Sequence, residues 1–423
     1  MNTDRSFSTS SATEERHKPF PSLMTLYMTG QSSWYMSLGL QFVLFPWLAA
    51  FVLEVPAHLV GIAQMSLMAP SLVFMLFGGA VADQNDARRL LVWLHTAAIM
   101  PPLGLALVMS ADSLSYSAII AYALAMGTLG AFAMPARDAL LTRIAGGAIQ
   151  KAVTLAMMMQ FSSQLVGMLI AGLADQAGAV PFLLGQAVVM ALGAVATLRM
   201  PSFPPHAETT PLRARFQEIK DGLTEVTSSP LLLPVVMLMA AIGVCYIGPF
   251  LVVLPLMVRD IYEGDSGSLA IINICFWGGV IFITAALLRI GGVHHIGRVL
   301  SVSVSSGAVV LALMAIPSSF TILCILCIFW GMGAGITMSL TRTIVQQASP
   351  ASHRARILSV YQLGFAGGGP IGALTMGYLV DALGITIVTL VPALTMGLML
   401  TYIIARTRLI SITATDLDAP SNT

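Results

Sequence analysis

The sequence predicts an all-α membrane protein of twelve transmembrane helices, arranged as two parallel six-helix repeats. Three observations predict it: a composition unsuited to water, a one-sided placement of basic residues, and an internal repeat at a spacing of 205 residues.

Hydrophobic residues make up 57% of the 423 and charged residues 9%, against roughly a quarter charged in a soluble domain. A bilayer core about 30 Å thick needs roughly 20 apolar residues per helical crossing, and such windows recur along the chain. Val299 to Thr341 holds no Asp, Glu, Lys or Arg, and Pro317 with Ser318 divides it into two spans. The spans fall near 22–53, 57–82, 90–110, 114–135, 152–174, 179–198, 230–257, 268–288, 299–316, 320–341, 357–380 and 384–405. As drawn, they contain no Asp, Glu, Lys or Arg.

Basic residues stay on the cytoplasmic side of a membrane. With a cytoplasmic N-terminus, 19 of the 20 Lys and Arg residues fall inside, and Arg259 is the exception. One miscounted span would scramble this parity, so the even number and the cytoplasmic placement of both termini support each other. The expected location is the inner membrane of a bacterial cell. Residues 1–20 are polar and lack the apolar region of a cleavable signal peptide. Cys245, Cys275, Cys324 and Cys327 lie inside spans, where they behave as small apolar residues. His294 and His295 read as solvated loop residues. No metal, cofactor or nucleic-acid partner is expected, and the chain is expected to act as a monomer.

The chain divides into a cytoplasmic tail (1–21), a six-span bundle (22–198), a linker (199–229), a second six-span bundle (230–405) and a second tail (406–423). In the linker, Leu212, Phe216, Ile219, Leu223 and Val226 recur at helical spacing, so one apolar face can lie on the membrane surface. Arg137 and Arg342 are 205 residues apart, as are Lys151 and Arg356, Gly167 and Gly372, and Gly172 and Gly377; Gly178 matches Gly384 one inserted residue later. An offset of six spans leaves both copies in the same orientation, which makes the repeats parallel.

After span 2 the chain reads Gly79-Ala-Val-Ala-Asp83-Gln-Asn-Asp86-Ala-Arg88-Arg89. This resembles the signature loop between helices 2 and 3 of the major facilitator superfamily. Pro135-Ala-Arg137-Asp138-Ala-Leu-Leu and Arg354-Ala-Arg356-Ile-Leu-Ser359-Val resemble the loops after helices 4 and 10 of its 12-span drug and siderophore (enterobactin-type) exporters. The resemblance implies the major facilitator fold and a gating latch on the cytoplasmic side built from Gly79, Asp83, Arg88, Arg89, Arg137 and Arg356. Gly79 would allow close helix approach, and Arg88 and Arg89 would pair with carboxylates or helix C-terminal carbonyls. Gln84 and Ala87 stand where the motif usually has basic residues. Gly364-Phe-Ala-Gly-Gly-Gly369-Pro370-Ile-Gly372 in span 11 is similar to the glycine-proline motif of antiporters, although Met168 replaces the proline in the span 5 copy. Gly331, Gly333 and Gly335 lie inside a span and read as packing residues, not a nucleotide loop.

Substrate sites in such folds lie near the midplane between the repeats, and polar groups deep in hydrocarbon are costly. Trp34, Ser37 and Gln41 share a face of span 1, Gln160 and Gln164 one of span 5, and Asn273 and Trp277 one of span 8. With Tyr246 these are the cavity candidates; Gln186 and Gln362 stand alone. For each, the alternative is an interhelical hydrogen bond without ligand contact. The 26 methionines suit either a remouldable surface or ordinary core filling.

The resemblance implies a secondary transporter that exports small amphipathic molecules, with a nutrient importer or uncoupled facilitator of the same fold as the alternative. No enzyme is expected. Proton-coupled transporters usually carry intramembrane carboxylates. The spans as drawn have none, so coupling falls to Glu54, His58, His95 or Asp112, and the substrate is expected to be neutral or zwitterionic overall.

Overall fold

The computed structural model describes residues 20–146, 149–203, 212–290, 292–316, 318–350 and 353–418. Among them are twelve helices long and apolar enough to cross a membrane, and no strand. Span 1 is Phe20–Trp47 continued by a π-helical turn, Leu48–Val52. Span 2 is Ala57–Gln84, and span 3 is Ala87–Ala97 followed by Met100–Ser110. Spans 4 to 6 are Tyr116–Ala145, Ile149–Ala171 and Val180–Leu198. A linker helix, Leu212–Ser228, leads to span 7, which joins Leu232–Cys245, a π-helical turn Pro249–Val253, and Leu254–Asp260. Spans 8 to 11 are Ser266–Ile290, Ile296–Met314, Phe320–Ala348 and Arg354–Leu383. Span 12 is Leu390–Arg406. Large apolar side chains such as Leu107, Val302 and Leu398 remain more than two-thirds exposed on the bundle surface, as an integral membrane protein requires.

The side that carries Phe20 and Arg406 is called here the near side, and the opposite one the far side. On the near side the helices outrun their apolar windows. Span 4 continues through Pro135 to Ala145, span 10 runs to Ala348, and span 11 begins at Arg354. On the far side span 11 extends to Leu383. The expectation of charge-free spans is therefore corrected: the helices take in Arg137, Asp138, Arg342 and Asp381. A charge ends a hydropathy window, but it does not interrupt the i to i−4 hydrogen bonds that propagate a helix.

The same packing occurs twice. Span 1 packs on spans 5 and 6 and span 2 on span 4; span 7 packs on spans 11 and 12 and span 8 on span 10. The repeated glycines sit at these crossings. A Cβ on Gly167 would lie 2.2 Å from the Met36 carbonyl oxygen of span 1, and one on its partner Gly372 would lie 2.4 Å from the Val244 oxygen of span 7. Gly172 and Gly377 instead face the other half, against Ala270 of span 8 and Gly61 of span 2. Gly178 and Gly384 both end helices with positive φ, 76° and 82°, and extended ψ, a combination essentially confined to glycine. Gly331 packs under the Phe276 carbonyl of span 8, in keeping with its reading as a packing residue.

Part of the apolar face of the linker helix lies on protein. Val226 is buried, Ile219 packs on the core of the second half, and Gly222 lies against the Arg356 backbone, whereas Leu223 stays exposed. The side chains of Leu212 and Phe216 lie outside the described residues.

Candidate functional site

Hydrogen bonds at three places join the two halves on the far side. Span 2 meets span 11 where Asp381 accepts from the backbone N–H groups of Ala57 (3.1 Å) and His58 (3.2 Å) and pairs with the His58 ring. Span 5 meets span 8 where Ser266 Oγ donates to the Gly172 carbonyl (3.0 Å) and accepts from Asp175 N–H (2.8 Å). Span 7 meets span 1 where Arg259 donates to the Ala50 carbonyl at 2.7 Å. The one basic residue that the charge parity left outside thus ties the halves together.

Toward the middle of the bundle the halves enclose two lobes that share Phe42, Met68 and Leu251. The first, about 250 Å³, is walled by spans 1, 2, 4 and 6, and its polar lining is Trp34, Ser37, Gln41, Gln64 and Ser71. The second, about 280 Å³, is walled by spans 7 to 11 and is mainly aromatic and aliphatic. Phe250, Phe276 and Trp330 pack with ring centroids 4.5 to 6.0 Å apart, and Tyr246 and Trp277 join them at 6.1 and 5.7 Å. Among the described residues, no side chain lining either lobe is acidic, basic or histidine.

The structure brings Trp34, Ser37 and Gln41 into the first lobe and Tyr246 and Trp277 into the second. Ser37 is fully buried and accepts from Gln186 (2.9 Å), which in turn holds Tyr122, so this trio ties helices together. Tyr246 donates to the Val304 carbonyl at 2.5 Å, and the Trp277 Nε1 is buried without a hydrogen-bond partner. Asn273 returns its amide to the Leu269 carbonyl of its own helix (2.9 Å) and borders a small gap beside Phe42 and Gln64. Gln160 and Gln164 line neither lobe, and Gln164 backs onto Gly39 of span 1. Gln64 escaped the sequence reading although it is a polar group deep in a span, the same signal that picked out Gln41. Phe250, Phe276 and Trp330 gave no signal, because an aromatic residue in an apolar helix looks the same whether it meets ligand, lipid or core.

Of the coupling candidates, His58 reaches a carboxylate of the other half. Glu54 and Asp112 occupy exposed far-side turns with φ of 47° and 48°. His95 is buried between spans 1, 3 and 6, with Nδ1 2.8 Å from the Leu91 oxygen and Nε2 3.3 Å from the Gly30 oxygen. Asp381, one residue beyond the drawn end of span 11, is the carboxylate that the sequence reading missed.

On the near side, Arg88 donates to the Leu198 carbonyl at the end of span 6 (2.7 Å). Asp86 caps span 3 through Arg89 N–H (3.0 Å) and receives Ser202 Oγ and Phe203 N–H (3.0 Å). Partial burial pulls the Asp86 pKa up, but the bonds from Ser202, Arg89, Arg88 and Phe203 outweigh it and hold the carboxyl below its ordinary value. Asp83 is half-buried at the end of span 2. At Gly78, the neighbour of Gly79, a Cβ would lie 2.5 Å from the Ala131 oxygen of span 4. Arg356 lies 3.7 Å from Asp221 of the linker helix. Arg137 lies inside the first half: its guanidinium stacks over Tyr35 (4.7 Å) and Trp34 (5.1 Å), and it is 6% exposed.

This helical pattern has a counterpart among known families: one described as transmembrane secretion effector matches residues 16–423. The chain belongs to that family. It is a membrane transporter of the major facilitator fold. Solved structures with this fold include a mutant of the nucleoside transporter NupG (TM-score 0.73, 16% identity, covering 90% of this chain and 99% of that one). A POT family transporter in complex with 5-aminolevulinic acid is similar at TM-score 0.73 and 12% identity, covering 92% and 96%. A bacterial homologue of the human lysosomal transporter Spinster, in an inward-facing and unoccupied conformation, is similar at TM-score 0.64 and 12% identity, covering 93% and 96%. At such identities the likeness shows the fold alone. No curated protein matches the chain by sequence.

Proposed function

We propose that this transporter exports amphipathic small molecules from the bacterial cytoplasm across the inner membrane by alternating access, with the near side cytoplasmic. The single observation that carries this reading is the two-lobed cavity: amides and hydroxyls line one lobe and aromatic rings the other, so a ligand with a polar end and an aromatic or apolar end fits across both. The resemblance to drug and siderophore exporters and the description of the family as a secretion effector agree with outward movement. In this reading the three far-side bond sets close the exit, and parting them releases substrate. The His58–Asp381 pair, an ionisable contact between spans 2 and 11, is where we place proton coupling. The near-side loop of Gly79, Asp83, Arg88 and Arg89 would latch the opposite state.

The test is transport in everted vesicles with an imposed pH gradient. Accumulation of amphipathic fluorescent compounds that collapses with the gradient is expected. Accumulation only in right-side-out vesicles would instead establish an importer.

A further inference from the structure

We infer that the first lobe takes the anionic end of the substrate, drawn there by the buried guanidinium of Arg137 beneath Trp34. The inference rests on the two-lobed cavity being the substrate path, and it replaces the expectation of a neutral or zwitterionic ligand. Arg137 is 6% exposed, and its Nη1 is buried without a hydrogen-bond partner. Its Cζ lies 5.1 Å from the centroid of Trp34, a ring that itself lines the lobe. One indole therefore separates a permanent positive charge from the ligand space.

Arginine stays charged at every physiological pH. Asp138 offsets part of this charge but leaves Nη1 without a hydrogen bond; burying such a group is costly, and an anion in the lobe would offset part of that cost. Among the described residues the lining carries no charge of its own, so a positive charge one ring away acts on the lobe without a competing charge in its wall. Adjacent Asp138 interacts electrostatically with Arg137 but does not line the lobe. The amides of Gln41 and Gln64 supply donors for carboxylate or sulfonate oxygens, whereas the Ser71 hydroxyl is donated to the Met68 carbonyl at 2.6 Å. Tyr35 on one side, and Tyr27, whose hydroxyl lies 3.4 Å from the Arg137 carbonyl oxygen, fix the residue in place. The second lobe accepts the apolar remainder. At one ring's remove, a charge–charge attraction at intermediate dielectric corresponds to a preference on the order of ten-fold.

The experiment uses purified full-length protein and two probes of matched shape, pyrenebutyrate and pyrenebutyramide, with binding read as energy transfer from tryptophan to pyrene. The expected result is about ten-fold tighter binding of the carboxylate. Arg137→Gln should abolish that preference with amide binding unchanged, and Arg137→Lys should retain part of it. Equal binding of both probes by the unaltered protein, or binding of neither, would overturn the inference without recourse to any variant. A preference that survives in Arg137→Gln would overturn it as well. Proteoliposome uptake of the same probes separates the two claims: carboxylate-selective binding with no transport of either probe defeats the exporter reading, while equal transport of both defeats the anion site.

Discussion

Asp381, at the end of span 11, is held by the first residues of span 2: the backbone N–H groups of Ala57 and His58 and the His58 ring all converge on its carboxylate. An anion at a helix N-terminus meets unpaired N–H groups and the positive end of the helix dipole, so this contact is strong for one so near the surface. Tyr378 stacks on the His58 ring at 5.5 Å and steadies it. Asp381→Ala is expected to part the far side more often. In a cysteine-free background, a cysteine replacing buried Ala57 should then react several-fold faster with an impermeant maleimide added from the far side. Unchanged labelling would mean that the pair does not set the seal.

Gly61 and Gly377 let the same two helices touch. A Cβ on Gly61 would lie 2.6 Å from the Ala373 carbonyl oxygen and 3.1 Å from Gly377 Cα, and backbone cannot give way as a flexible side chain can. Gly377→Val should wedge the far side open, leave membrane insertion intact and reduce transport at least ten-fold. Normal transport by a well-expressed variant would contradict this.

The aromatic lobe makes a separable prediction. Trp330 is buried against Phe250, Phe276 and Tyr246, and its truncation removes both ring contacts and ligand surface. Trp330→Ala should weaken binding of aromatic compounds by about ten-fold or more, on the scale of a lost aromatic contact. Gln64→Ala, in the other lobe, should alter the ranking of polar groups without that loss. Parallel losses in both variants would argue against a division of labour between the lobes.

Asp86 connects the span 2–3 loop to the segment after span 6 by bonds to Arg89, Ser202 and Phe203. Because its pKa is held below the ordinary value, its stabilisation is present above the ordinary carboxylate range and lost as pH falls through the lowered pKa. Asp86→Ala should cost about 1–2 kcal/mol, the scale of a lost helix cap, seen as a lower thermal midpoint of the detergent-solubilised protein at pH 7. The difference from the unaltered protein should shrink toward pH 3. An equal midpoint at pH 7 would remove Asp86 from the stabilising contacts.

The number of spans, their order and the six-span repeat could be read from the residues, because a bilayer demands a fixed apolar length and the glycines at helix crossings recur in both copies. Gly167 and Gly372 were paired by spacing alone, and both proved to sit under the backbone of the first span of their half. What each polar residue touches was decided by tertiary structure. A membrane helix is apolar on every face, since lipid and core are equally dry, so hydropathy carries no record of how the helix is rotated. That is why Arg137, read as part of a loop, lies stacked on Trp34 and Tyr35, and why Gln160 and Gln164 line neither lobe while Gln64 lines the first. It is also why the partner of His58 came from a residue more than 300 positions away: only the crossing of spans 2 and 11 brings Asp381 to the start of span 2.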